Sequence, residues 1–305
     1  MDFRQLEAFC AIVEWGSFSE ASKHLFITQP TISSHIQALE KNLHTDLLDR
    51  TTKPVTLTEE GKRFYASAKD LLRLKEKVLR DFENNLHHII QFGSSSIPSA
   101  YVLPEIMSAY HELVPETIFN VVQADSSDIL QQIRAGSLDV GITGLPLSEE
   151  HYSCTAIYRD EMVLATPATE YYLSLKKQKV PLTRLLQEPY LVREDGSGTK
   201  KAAEQFLKAI NLTSSDLNIV ARMNDLEAIK QSIIYGLGIS ILSKKVTDDL
   251  KKANRLIVYP LAKGGVYRNY YLIYNKNVIQ NKQLRGFIRF VENFYAQGQG
   301  VRTLV

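Results

Sequence analysis

Between Ser17 and Leu43 the apolar positions fall into two short helical repeats separated by a polar turn. Ser17 and Glu20 have capping-box spacing, which predicts a helix start there with Ala21 and Leu25 on one face. Thr28 caps a second start, Pro30 sits in a first turn where its missing N–H is not needed, and Ile32, Ile36, Leu39 and Leu43 recur at helical spacing. Upstream, Leu6, Phe9, Ile12 and Val13 share one face of a helix over 3–14 that backs this pair, with Trp15 and Phe18 expected to plug the small core. Downstream, Leu47 and Leu48 tuck in, residues 51–54 turn, and residues 55–57 return as a short strand, with Arg50 and Lys53 flanking the turn. The pattern is a helix-turn-helix followed by a wing.

Thr58, followed by Glu59 and Glu60, starts a long helix expected to run to His88. Its heptad seam alternates Tyr65, Leu72, Leu79 and Leu86 with Ala68, Lys75, Phe82 and Ile89. A short wing domain has too little surface to cover a seam about eight turns long, so pairing with a second copy is expected. From Ile89 onward strand and helix patterns alternate. HHIIQFGSS, TIFNVVQAD and LDVGITG read as strands; SAYVLPEIMSAYHELVP and SSDILQQIRAG read as helices, the latter capped by Ser126 or Ser127. After a strand at EMVLATP, a second set follows in YLVRE, GTKKAAEQFLKAI, LNIVARM, DLEAIKQSIIYG and GISILS, and YRNYYLIYN with NKQLRGFIRFVENFYA returns to the first. Such alternation implies a parallel sheet with helices on both faces. The expected fold class is α+β and multidomain: a winged helix-turn-helix over 1–58, a linker and dimerisation helix over 59–89, and a two-lobed α/β domain over 90–305. Lobe I takes 90–163 and 268–305, and lobe II takes 164–267.

Opposite Ile32, Ile36 and Leu39, the second helix presents Pro30, Ser34, Gln37 and Lys41, flanked by Gln29, Thr31 and Ser33. These groups have the size and hydrogen-bonding character to reach base edges in a major groove. A polar helix face more often meets only water; the preceding helix, the turn length and the wing reverse that reading here. The stretch LEAFCAIVEWGSFSEASKHLFITQPTISSHIQALEKNLHTDLLDRTTKPVTLTEEG resembles the winged helix-turn-helix of LysR-type transcriptional regulators, with spacing kept throughout. The resemblance implies that Gln29, Pro30, Ser33 and Ser34 lie against DNA and that Arg50 sits on the backbone near the wing; Thr31, Gln37 and Lys53 complete the candidate set. Many members carry Arg at the position of Ser34 and Arg or Lys at that of Gln37, so fewer phosphate contacts come from this helix. The resemblance also implies a homodimer or homotetramer paired through the long helix, a palindromic site in double-stranded DNA, and RNA polymerase as a partner. It implies an effector-binding domain resembling periplasmic binding proteins, with the ligand between the lobes.

Three loops are expected to converge on that cleft: 93–99 with Ser95, Ser96 and Ser99, a strand end at Thr143, and 195–199 with Ser197 and Thr199. Each offers hydroxyls and backbone N–H groups at a strand end or helix start, which suits an anion. For any one of them helix capping alone is the simpler role, yet three such loops on facing lobes favour a joint site for a small, anionic effector. The resemblance gives effector contacts to Ser95, Ser96, Thr143, Ser197 and Thr199, and Lys200 and Lys201 receive no contact role.

Composition narrows the function further. The chain has 305 residues, 44% hydrophobic and 23% charged, enough for several cores. Net charge is only +2, and residues 1–60 hold five Lys or Arg against nine Asp or Glu, whereas 61–90 hold seven against four. DNA binding then leans on local placement of charge, with a modest salt slope. Cys10, on an apolar helix face, and the distant Cys154 form neither a disulfide framework nor zinc spacing, and no metal or cofactor is expected. No histidine context activates Ser197, and GLGIS lacks the full dinucleotide fingerprint, so no catalytic residue is assigned. MDFRQLEAF is not a targeting peptide and no apolar run approaches eighteen residues, which points to the cytoplasm and away from a membrane. The other reading is a cytoplasmic solute-binding or enzymatic α/β protein carrying an N-terminal interaction module; specific retardation of the chain's own upstream DNA separates the two.

Overall fold

The computed structural model describes residues 1–51, 54–83 and 88–295; Lys53 of the candidate DNA set, and Leu86 and the Phe82 side chain of the seam, lie outside the described residues. The chain divides into two compact units, one comprising Met1–Leu86 with Ala135–Ser137 and the other His87–Arg134 with Leu138–Val305.

The first unit contains α1 (Phe3–Trp15), α2 (Phe18–His24), α3 (Gln29–Leu43), β1 (Leu48–Asp49), β2 (Thr56–Leu57) and α4 (Glu59–Glu83). Ser17 caps α2 and Thr28 caps α3, while α1 carries a capping box in which Gln5 N donates to Asp2 Oδ1 at 2.9 Å and Asp2 N donates to Gln5 Oε1 at 3.2 Å. Leu6, Phe9 and Ile12 of α1, Ile32, Ile36 and Leu39 of α3, Ala21, and Leu47 and Leu48 of the wing share one core, which Ala68 of α4 closes. Phe18 packs against that core, but Trp15 does not fill it. It is 50% exposed, and its ring stacks on His24 with centroids 3.6 Å apart.

α4 departs from the expected helix over 59–89. It ends at Glu83, and Ile89 belongs to the strand β3 (His88–Ser95), where ladder bonds to strands distant in sequence outweigh the heptad period. The first half of the seam, Tyr65, Ala68 and Leu72, packs on the unit's own core. Exposed apolar side chains gather instead at Leu71, Leu74, Val78 and Leu79.

In the second unit, β3 leads to α5 (Ser96–Tyr101), α6 (Leu103–Leu113), β4 (Thr117–Ala124), α7 (Ser126–Arg134) and β5 (Val140–Thr143). The helix expected over SAYVLPEIMSAYHELVP is two helices, with Pro104 in the first turn of α6, where its missing N–H is harmless. Asp125, rather than Ser126 or Ser127, caps α7, its Oδ1 accepting from Asp128 N at 2.9 Å. Then come β6 (Tyr152–Pro167), α8 (Glu170–Lys177), α9 (Leu182–Leu185), β7 (Tyr190–Arg193), α10 (Gly198–Ala209), β8 (Ile219–Met223), α11 (Leu226–Ile234), β9 (Ser240–Ser243), α12 (Lys244–Lys252), β10 (Leu256–Pro260), β11 (Val266–Asn275) and α13 (Lys282–Phe294).

The sheet is mixed rather than parallel. Its strand order is β10-β6-β11-β5-β3-β4, with β9 also paired to β6. β3 runs parallel to β4 and β5, whereas β11 runs antiparallel to β5 and β6. The long β6 and β11 pair along their lengths, which sets Arg268 directly opposite Asp160. β7 pairs with β8, and a bridge between Tyr190 and Ile239 ties β7 to β9. Separate cores mark two lobes, one around Phe92, Ile106 and Phe287 and the other around Leu185, Tyr190, Phe206 and Ile239. Among the described residues no helix is long and apolar enough to cross a membrane.

Candidate functional site

α3 buries Ile32, Ile36 and Leu39 and turns Gln29, Pro30, Thr31, Ser34, Gln37 and Lys41 to solvent, with Ser33 half-buried. Part of Thr31's capacity is used at the helix start, where its hydroxyl lies 2.8 Å from that of Thr28. The only acidic residue of α3, Glu40, is buried and ties the helix to the wing. Its Oε1 accepts from Leu47 N at 3.0 Å and Leu48 N at 3.3 Å, and its Oε2 accepts from Arg50 Nη2 at 2.5 Å. Arg50 also lies over the Phe18 ring, 5.5 Å from its centroid, and its side chain stays 42% exposed. Asp46 and Asp49 share a surface depression with Gln37 and Lys41, while most other acidic residues of the region are committed elsewhere. Asp2 caps α1, Glu7 and Glu14 pair with Lys75 and Lys69, Glu20 pairs with Lys23, and Glu59 pairs with Lys62.

In the second unit a narrow cleft lies between the lobes. Ser95 and Ser96 line it from the β3–α5 junction, and Ser197 and Thr199 line it from the start of α10. Ser197 caps α10, its Oγ accepting from Lys200 N at 3.5 Å. Thr143 and Ser99 do not line the cleft. The Thr143 hydroxyl donates to the Leu145 carbonyl at 2.6 Å, and Gly144 takes the wall position beside it. Lys200 turns to Asp195, whose carboxyl this hydrogen bond holds below the usual range.

Two buried arginines, missed in the sequence, dominate the cleft. Arg193, 3% exposed, donates from Nε and Nη2 to the two Glu194 oxygens, each at 2.7 Å, and from Nη2 to Ser96 Oγ at 3.4 Å and Asn224 O at 3.1 Å. Arg268, with a 7% exposed side chain, donates from Nε to Asp160 Oδ2 at 3.0 Å, from Nη1 to Thr199 Oγ1 at 3.0 Å and from Nη2 to Tyr270 Oη at 2.5 Å. Tyr270 Oη and Ser243 Oγ each donate to Asp160 at 2.7 Å, and burial pushes the Tyr270 phenol well above its ordinary range, so it stays protonated. Arg193 announces itself only as a cation ending an apolar strand; Arg268 and Asp160 meet only through strand register.

The lobes touch through glycines at the cleft rim. A Cβ on Gly198 would sit 2.9 Å from the Gly144 Cα, and one on Gly196, whose φ is +79°, would sit 2.8 Å from Asp125 Oδ2. Among the described residues no group of His, Cys, Asp and Glu is placed to hold a metal ion. Cys10 is buried, which pushes its thiol up to about 11, and Leu147 N donates to Cys154 Sγ at 3.4 Å.

Residues 3–62 match the family model described as bacterial regulatory helix-turn-helix protein, lysR family, and residues 84–296 match that of the LysR substrate binding domain. The chain is 32% identical over 291 residues to an uncharacterized HTH-type transcriptional regulator of Methanocaldococcus jannaschii, covering 93% of this chain and 96% of that one. It is 28% identical over 249 residues to the HTH-type transcriptional regulator CysL of Bacillus subtilis, covering 81% and 82%. In fold it is similar to the crystal structure of CbnR, a LysR family transcriptional regulator, with a TM-score of 0.72 at 20% identity over 96% of this chain and 99% of that one. Full-length CbnR complexed with its target DNA gives the same TM-score at 21% identity over the same shares of the two chains.

Proposed function

The chain belongs to the LysR family of transcriptional regulators and is not an enzyme, and from that premise we propose that α3 reads an operator of two half-sites in double-stranded DNA under control of a small anionic effector. Gln29, Pro30, Thr31, Ser33, Ser34 and Gln37 enter the major groove, and Arg50 and Lys53 hold the phosphate backbone beside it. The observation that carries this reading is the division of α3 into a fully buried face at Ile32, Ile36 and Leu39 and a polar, exposed face opposite. With hydroxyls and an amide on that face, discrimination comes from neutral hydrogen bonds and the salt dependence is shallow.

Leu71, Leu74, Val78 and Leu79 lie at i, i+3, i+7 and i+8 on α4 and are exposed. Such a stripe pairs with the same helix of a second copy, giving a homodimer or, through further contacts, a homotetramer on a palindromic site. RNA polymerase is the partner such a complex acts on, and the cytoplasm is where it meets DNA. In the cleft, Ser95, Ser96, Ser197, Thr199, the N-terminus of α10 and two buried guanidinium groups support an anion as the effector. Gel retardation of the chain's own upstream DNA tests the proposal: specific retardation by the parent and loss of specificity in Ser34→Ala/Gln37→Ala support it, and equal retention of unrelated DNA by the parent refutes it.

A further inference from the structure

We propose that the cleft takes a small oxyanion, held between Arg193 and Arg268, and that Glu194 occupies its place in the ligand-free protein. The inference rests on the anion reading above and adds its size, its clamp and its competitor.

Size follows from how the cleft is closed. The open space within it is close to that of a single water, so an incoming oxyanion gains its room from the carboxylate it displaces. At the rim the lobes meet closely, backbone to backbone at Gly144 and Gly198 and at the short Asp125 carboxylate beside Gly196. Larger ligands require the lobes to separate.

The clamp follows from the two guanidinium groups. Arg268 is fixed by Asp160 and Tyr270, with its Nη1 reaching across to Thr199 at the start of α10. Planar forks of this kind match oxyanion geometry. The counter-ions differ in a way that assigns the competitor. Asp160 is buried and takes further hydrogen bonds from Ser243 and Tyr270, so it stays. Glu194 is 22% exposed and receives only the Arg193 fork among the hydrogen bonds to side-chain atoms of the described residues, so an incoming oxyanion takes over those two donors and Glu194 turns to water.

Calorimetric titration of the full-length protein with sulfate, phosphate, oxalate and malonate, at constant ionic strength, tests this; citrate and 2-naphthoate serve as larger anions. At least one small oxyanion binds, and the inorganic and carboxylate arms separate the two sources of that chemistry. Arg193→Lys and Arg268→Lys weaken it roughly 10- to 100-fold. Glu194→Gln, which removes the competing charge and cannot gain affinity through misfolding, tightens it about tenfold. Gly198→Ala weakens it by wedging the lobes apart. Binding of none of the four small anions, or unchanged affinity in Glu194→Gln, overturns the proposal. Citrate or naphthoate binding as tightly as the small anions removes the size limit while the anion reading stands, whereas heat from neutral or cationic metabolites alone removes both.

Discussion

Glu40 offers the sharpest energetic prediction, because one buried carboxylate serves two backbone donors and a cation. In Glu40→Ala the Leu47 and Leu48 N–H groups, both in the buried wing, lose their acceptor. A buried donor left unmatched costs about 1–3 kcal/mol, so two cost about 2–6. The Arg50 pair is part-exposed and adds at most about 1 kcal/mol. Glu40→Gln keeps an amide oxygen for both N–H groups and loses only the charge, which should cost about 1–2 kcal/mol. For a unit of this size each kcal/mol moves the melting temperature by roughly 4–8 °C. Thermal and urea unfolding of the full-length variants, with amide exchange read at Leu47 and Leu48, measures the difference. Equal destabilisation by Gln and Ala, or a loss below about 1 kcal/mol in Glu40→Ala, would refute the reasoning.

Leu74→Lys and Leu79→Lys alter residues exposed in the single chain, so they should leave folding intact and dissociate the pair in sedimentation, since an unpaired charge buried at an interface costs several kcal/mol; an intact dimer would place association elsewhere. Thr199→Ala removes an acceptor of Arg268 as well as a cleft hydroxyl and should lower both effector affinity and stability, whereas Ser96→Ala, which breaks only a 3.4 Å bond to Arg193, should lower affinity alone in calorimetry. Burial raises the Cys10 thiol from 9.0 to about 11, so the unfolded chain releases this proton first. The stability it contributes is full below pH 9 and is lost as pH rises toward 11, so urea titrations should find a steeper loss in the parent than in Cys10→Ala, which keeps only the like-signed loss from buried phenols such as Tyr270.

Local patterns that a helix or cap can satisfy by itself were readable from the sequence. The α3 period and the Ser17 and Thr28 caps depend on neighbours within a few residues. The misreadings involve partners far along the chain. The heptad period ran on to Ile89 because nothing local reveals that β3 pairs with β4 and β5. Trp15 reads as core by its chemistry, yet His24 offers a surface stack. In the cleft, Ser95, Ser96, Ser197 and Thr199 were visible as hydroxyls at loop ends. Arg268 was not, because its partners Asp160 and Thr199 are assembled by the β6–β11 register and the closure of the lobes. Thr143 shows the converse: a hydroxyl at a strand end suggests a ligand group, but its proton goes to the turn after β5.

The central claim is that the outer face of α3 reads DNA sequence. Selection of bound sequences from a random pool, run in parallel on the parent, Ser34→Ala/Gln37→Ala and Arg50→Ala, tests it most directly. The double variant should lose roughly 1–3 kcal/mol of discrimination at defined base pairs in each half-site, while Arg50→Ala weakens binding to all sequences alike. An unchanged sequence preference in the double variant would contradict the account.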